Sequence, residues 1–156
     1  PFAAVMTVGI SSAEQMFEAV VRRSSENDVI IMCSAVADYR PAVCADQKVK
    51  KQDGDMSIAL TRTKDILGYL GNHKREGQLL VGFSMETENL IENSRQKLTR
   101  KNADLICANS IAGNQTGFGV DTNKVTLITT REVSELPLCS KEETADLILT
   151  YIINNV

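Results

Sequence analysis

Hydrophobic positions along the chain follow two alternating periods. Ala13, Met16, Phe17, Val20 and Val21 recur every three to four residues. They follow Ser11 and Ser12, with Glu14 and Gln15 each three residues beyond one of those serines. This capping-box pattern predicts an amphipathic helix. Residues 29–33, 79–83 and 104–108 are short continuous apolar runs, as expected of buried strands. Between them the helical period returns, with Ile66, Leu67 and Leu70 on one face of a helix over 64–73 and a second helix over 87–101. Residues 4–8 form a short apolar run, 56–60 read as an edge strand after the turn at Asp53-Gly54, and 124–129 alternate as a strand does. Ser140, with Glu143 three residues on, caps a last helix whose expected inner face is Ala145, Ile148, Leu149 and Ile152.

Strands alternating with amphipathic helices imply an α/β layered domain with a mostly parallel sheet. Such sheets bind ligands in the crevice outside the carboxyl ends of their strands. The loops after Cys33, Phe83 and Ala108 are therefore where chemistry is expected.

At 156 residues the chain has the size of a single domain, and no apolar run is long enough to span a bilayer. Its start, Pro1-Phe2-Ala3, has no basic region or cleavage site of a signal peptide and reads as the interior of a longer chain. A net charge of −3 argues against nonspecific nucleic-acid binding. The four cysteines, Cys33, Cys44, Cys107 and Cys139, are scattered without a C-x-x-C pair, and His73 is the single histidine. That leaves few ligands for a Cys/His metal centre and suggests a reducing cytoplasm. Cys33 and Cys107, inside apolar runs, are expected to behave as small hydrophobes.

Several segments carry candidate chemistry. Ser34-Ala35-Val36-Ala37-Asp38-Tyr39-Arg40-Pro41 leaves a strand on small residues that let a ligand approach the backbone. Asp38 can accept hydrogen bonds from a ribose hydroxyl or a base amino group, or simply cap a turn. Lys48-Val49-Lys50-Lys51 sets three lysines in four residues, either a cationic flap for phosphates or a solvated face. Lys97 and Lys101 share a helix face beside Arg100. Their repulsion costs a few tenths of a kcal/mol unless an anion sits between them, although cations at a helix C-terminus also complement its dipole. Phe83 offers a ring for base stacking or for the core. The run Gly113-Asn114-Gln115-Thr116-Gly117-Phe118-Gly119 leads into a strand and lacks G-x-G-x-x-G spacing, which removes a dinucleotide fingerprint and with it an NAD-dependent oxidoreductase.

In their order these segments resemble the ligase domain of bacterial phosphopantothenate–cysteine ligases. The carrying residues are 34–41, Lys48-Val49-Lys50-Lys51, Lys64-Asp65-Ile66-Leu67, Gly82-Phe83-Ser84-Met85-Glu86-Thr87, 95–101, 104–109 and 118–125. The resemblance implies a Rossmann-like three-layer fold, a cytoplasmic homodimer and a CTP-dependent reaction accompanied by Mg²⁺. In it the carboxylate of 4'-phosphopantothenate attacks CTP, releasing pyrophosphate, and cysteine then displaces CMP from the acyl-cytidylate. The family's contacts fall on Ala35, Ala37, Asp38, Lys48, Lys64, Asp65, Ile66, Leu67, Phe83, Lys97 and Lys101, with Lys48 catalytic and no direct metal ligand assigned.

Two departures accompany the resemblance. Many relatives have Pro-Asp-Ile-Leu where this chain has Lys64-Asp65-Ile66-Leu67, so the turn is less rigid here. The family also has an N-terminal Gly-rich segment and, in many bacteria, a fused flavin-dependent decarboxylase, and this chain of 156 residues is expected to contain neither. The 156 residues are thus expected to form one ligase domain that is a poor catalyst alone, the alternative being a noncatalytic nucleotide-binding module.

Overall fold

The computed structural model describes residues 5–45, 47–50, 53–110 and 119–155. Helix α1 (Ala13–Ser24) starts where Ser12 accepts from the Gln15 backbone, while the Gln15 side chain reaches back to the Ser11 backbone at 2.8 Å. Strand β1 (Val29–Met32) follows, then β2 (Tyr39–Pro41) and β3 (Leu60–Arg62), which pair antiparallel with each other. Next come α2 (Ile66–His73), β4 (Leu79–Glu86), α3 (Leu90–Arg100) and β5 (Leu105–Ser110). Strands β6 (Thr122–Asn123), β7 (Val125–Ile128), β8 (Val133–Glu135) and β9 (Cys139–Ser140) lead to helix α4 (Lys141–Asn155).

The central sheet has five strands in the order β1-β4-β5-β7-β8. β1, β4 and β5 are mutually parallel, β7 runs against β5, and β8 runs against β7. Four of the five strands thus share a direction, in agreement with a mostly parallel sheet. One face packs Ile66, Leu70, Leu98 and Ile106 with Met16 and Phe17 of α1; the other packs Val81, Leu105 and Leu127 against Ile148 and Ile152 of α4. This is the three-layer, Rossmann-like α/β arrangement. Backbones approach closely at two glycines. A Cβ on Gly82 would stand 2.8 Å from Leu67, and one on Gly71 would stand 1.8 Å from the Lys101 carbonyl oxygen.

Several segments depart from the sequence pattern. Strand β1 is an edge strand, not a buried one, with Val29 43% and Ile31 37% exposed. Cys33, just past its end, is exposed too, whereas Cys107 in the centre of the sheet is buried. Residues 5–8 form no strand, and the short strand expected over 56–60 lies instead at Leu60–Arg62. Helix α3 begins after Asn89, whose left-handed backbone (φ 50°) breaks the chain after β4 runs on to Glu86. In α4 the buried stripe is Thr144, Ile148 and Ile152, one residue every four, whereas Ala145 and Leu149 face outward. Thr144 qualifies because its hydroxyl donates to the Ser140 carbonyl at 2.8 Å. The Gly/Asn-rich run Gly113–Phe118 lies outside the described residues, as do Lys51 and Asp46.

Candidate functional site

At the carboxyl ends of β1 and β4 a cleft of about 750 Å³ opens between the β2–β3 hairpin, the start of α2 and the last turn of α3. Each wall has a local cause. Thr63 holds the strand-exit segment in place: its hydroxyl donates to the Ala37 carbonyl at 2.6 Å and its N–H to the Asp38 carbonyl at 2.9 Å. This presents the Asp38 side chain to the cleft. Asp65 starts α2 by accepting from the Gly68 N–H at 3.0 Å. The same carboxylate pairs with Lys101, so one residue ties α2 to α3. Asn102 adds a bond from its side chain to the Gly71 carbonyl at 2.7 Å.

Eight of the eleven residues singled out in the sequence come together here: Asp38, Lys64, Asp65, Ile66, Leu67, Phe83, Lys97 and Lys101 all line the cleft. Phe83 combines both roles considered for it, since its ring packs partly on the α4-side core and partly walls the cleft. Ala35 and Ala37 are exposed and do not line it; their neighbours Ser34 and Val36 do. Lys48 is exposed on a segment without helix or strand and is not on the cleft wall.

Lys97 and Lys101 are not the unpartnered like-charged pair that their spacing suggests. Lys101 is held by Asp65, and half-buried Lys97 donates to the Phe83 carbonyl at 2.7 Å. Burial lowers the pKa of Lys97, and Lys101 and Arg100 push the same way, against Glu86 and Asp38. For Asp65, burial acts to raise the pKa, but hydrogen bonds from Lys101 and Gly68, with the charges of Lys101 and Arg100, leave it lowered. Lys64 pairs with Glu14 at 2.5 Å and sits 4.5 Å from the centre of the Phe17 ring.

Pattern reading missed Arg62, Thr63 and Tyr39 as parts of the wall. The only signal available was the placement of Arg62 two residues before the Lys64-Asp65 turn. Five basic side chains now face two carboxylates in one crevice. Such a surface suits a polyanion. Among the described residues no group of three or more His, Cys, Asp or Glu side chains is arranged to hold a metal ion. With Asp65 committed to Lys101, only Asp38 is left in the cleft as an acidic oxygen ligand, too few for a protein-built Mg²⁺ cage.

The family model of the DNA/pantothenate metabolism flavoprotein C-terminal domain matches residues 1–156. The chain belongs to this family. Among members of known sequence, the coenzyme A biosynthesis bifunctional protein CoaBC of Bacillus subtilis (strain 168) is 44% identical over 146 residues. That match takes in 93% of this chain and 36% of the relative, so the chain spans about a third of that protein's length. A solved C-terminal domain of a CoaBC protein is 40% identical and superposes with a TM-score of 0.77, over 97% of this chain and 66% of that one. A Cab2 variant in complex with phosphopantothenate-cysteine shares the fold at a TM-score of 0.69 and 15% identity, over 92% of this chain and 52% of that one. No described helix of this family member is long and apolar enough to cross a membrane.

Proposed function

We propose that this domain carries the ligase activity of a coenzyme A biosynthesis enzyme: the CTP-dependent joining of cysteine to 4'-phosphopantothenate. The observation that carries the reading is the cleft itself. Five basic side chains, with an aromatic ring and Asp38, converge at the carboxyl ends of the strands in an otherwise acidic chain. Membership of the family and the names of its CoaBC relatives support the same reading.

In this reading the ligand carboxylate attacks the α-phosphorus of CTP, the bond to the β-phosphate breaks, and pyrophosphate leaves. The cysteine amine then attacks the acyl carbon, loses a proton, and displaces CMP to form the amide. The chain's own groups bind and orient. Asp38 takes a ribose hydroxyl or a base amino group, Phe83 offers its ring to the base, and Lys97 and Lys101 meet the triphosphate. Lys48 approaches from its exposed segment to meet charge developing on the phosphoryl group. Mg²⁺, which neutralises triphosphate charge when bound, would take its oxygens mainly from the nucleotide and water. The working unit is proposed to be a cytoplasmic homodimer.

The test is a pyrophosphate-release assay with CTP and 4'-phosphopantothenate, with and without cysteine. Pyrophosphate without cysteine, and CMP only once cysteine is added, is the expected result, with CTP favoured over ATP in kcat/KM. CTP binding without pyrophosphate release, in a protein spanning the full length of its relatives, would make the domain a noncatalytic nucleotide-binding module.

A further inference from the structure

Three of the five basic side chains of the cleft already have partners: Lys64 has Glu14, Lys101 has Asp65, and Lys97 has the Phe83 carbonyl. Arg62 and Arg100 do not: among the described residues neither side chain makes a hydrogen bond or an ion pair. Of the two, Arg62 lies over a ring, its guanidinium carbon 5.4 Å from the centre of Tyr39. Tyr39 and Arg62 are direct cross-strand partners in the β2–β3 hairpin, and Thr63, the next residue, is fixed by its bonds to residues 37 and 38. A cation–π contact of this kind steadies the guanidinium without using its N–H donors, which are left available to a ligand. A planar fork held in this way matches two oxygens of a phosphate, which a point-charge lysine cannot do. The excess of basic over acidic side chains around it favours phosphate over a singly charged carboxylate.

We propose that Arg62, held against Tyr39, is a specificity-determining residue that grips a phosphate group in two-pronged fashion at the hairpin wall of the cleft. The proposal rests on the ligase reading for which phosphates the cleft meets, a triphosphate or a phosphomonoester, and not for the chemistry of the grip.

The experiment is calorimetric titration of wild type, Arg62→Lys and Tyr39→Leu with inorganic tripolyphosphate, then CTP, cytidine, 4'-phosphopantothenate and pantothenate. Circular dichroism confirms that each variant folds; Arg62→Lys, an exposed change that keeps the charge, serves if Tyr39→Leu does not. The expected result is a loss of about tenfold or more in tripolyphosphate affinity for Arg62→Lys, a smaller loss for Tyr39→Leu, and unchanged cytidine binding. A matching loss for CTP assigns the grip to the nucleotide's phosphates, and one for 4'-phosphopantothenate but not pantothenate assigns it to the phosphomonoester. The proposal is overturned if wild type does not bind tripolyphosphate, if Arg62→Lys binds it as wild type does, or if cytidine and CTP weaken equally. Wild type that binds tripolyphosphate but neither CTP nor 4'-phosphopantothenate sinks the ligase reading and leaves the grip standing.

Discussion

Lys97 reaches the Phe83 carbonyl from a half-buried position, with Lys101 and Arg100 on its own helix and Glu86 and Asp38 in range of its charge. Burial comes first among the causes that lower its pKa. A lowered amine pKa means the folded protein binds that proton less tightly than the unfolded chain. The charge therefore costs stability at neutral pH, and the cost fades as pH rises past the folded-state value. A bound polyanion reverses the balance by favouring the ammonium. Triphosphate binding at alkaline pH is thus expected to take up protons, measured as a dependence of binding enthalpy on buffer ionisation. The uptake should shrink in Lys97→Met; equal uptake in both proteins would detach the effect from Lys97. Lys48 illustrates the opposite case, since an exposed side chain on an irregular segment contributes little to folding. Lys48→Gln is expected to lower kcat severely and to move stability by less than about 0.5 kcal/mol. Lys50→Gln and Lys51→Gln should do less. Equally mild effects in all three would leave the run a solvated surface.

Elements whose signal is local were legible in the sequence. The Ser12–Gln15 and Ser140–Glu143 capping pairs formed as their spacing implies, and Asp65, not given a capping role beforehand, starts α2. What was illegible depends on neighbours. Nothing within residues 29–33 says that β1 lies at a sheet edge, and the four-residue shift of β3 reflects its pairing with β2, a strand too short to carry a pattern. The outward turn of Leu149 follows from where α4 crosses the sheet, which apolar content cannot fix. The α2–α3 corner is the sharpest instance, because the site depends on it. Gly71 lets the Lys101 carbonyl approach to a distance that no side chain tolerates, and that approach brings Lys101 to Asp65. Gly71→Ala is expected to cost about 2 kcal/mol or more in denaturant unfolding and to weaken triphosphate binding with it. Asp65→Asn keeps a capping oxygen and loses the charge, so it should cost less than Asp65→Ala, which loses both and about 1 kcal/mol of cap. Equal costs for the two would remove the cap from the account.

At the scale of the whole molecule, the chain carries 17 basic and 20 acidic residues for a net charge of −3, yet concentrates five basic side chains against two carboxylates in one cleft. Composition cannot report that segregation. The lysines of the site were legible because the family resemblance placed them. Arg62 was not, because its partnership with Tyr39 exists only once β2 and β3 pair. The segregation has a measurable consequence. Distant acidic groups repel an approaching polyanion and are screened over about 8 Å at physiological salt, while the cleft's own charges attract it at contact range. Attraction between exposed charges is weakened by salt as well, and the cleft remains open to solvent along the hairpin side, where Tyr39 and Arg62 are exposed. Triphosphate affinity is therefore expected to fall by about tenfold or more between about 50 and about 500 mM salt, mainly through faster dissociation, while cytidine affinity stays flat. Arg100→Gln, which removes a cleft charge that has no ion-pair partner among the described residues, should flatten the triphosphate slope and leave cytidine unaffected. A triphosphate affinity insensitive to salt would mean that the basic side chains stay on their own carboxylates and that the ligand is held by neutral contacts instead.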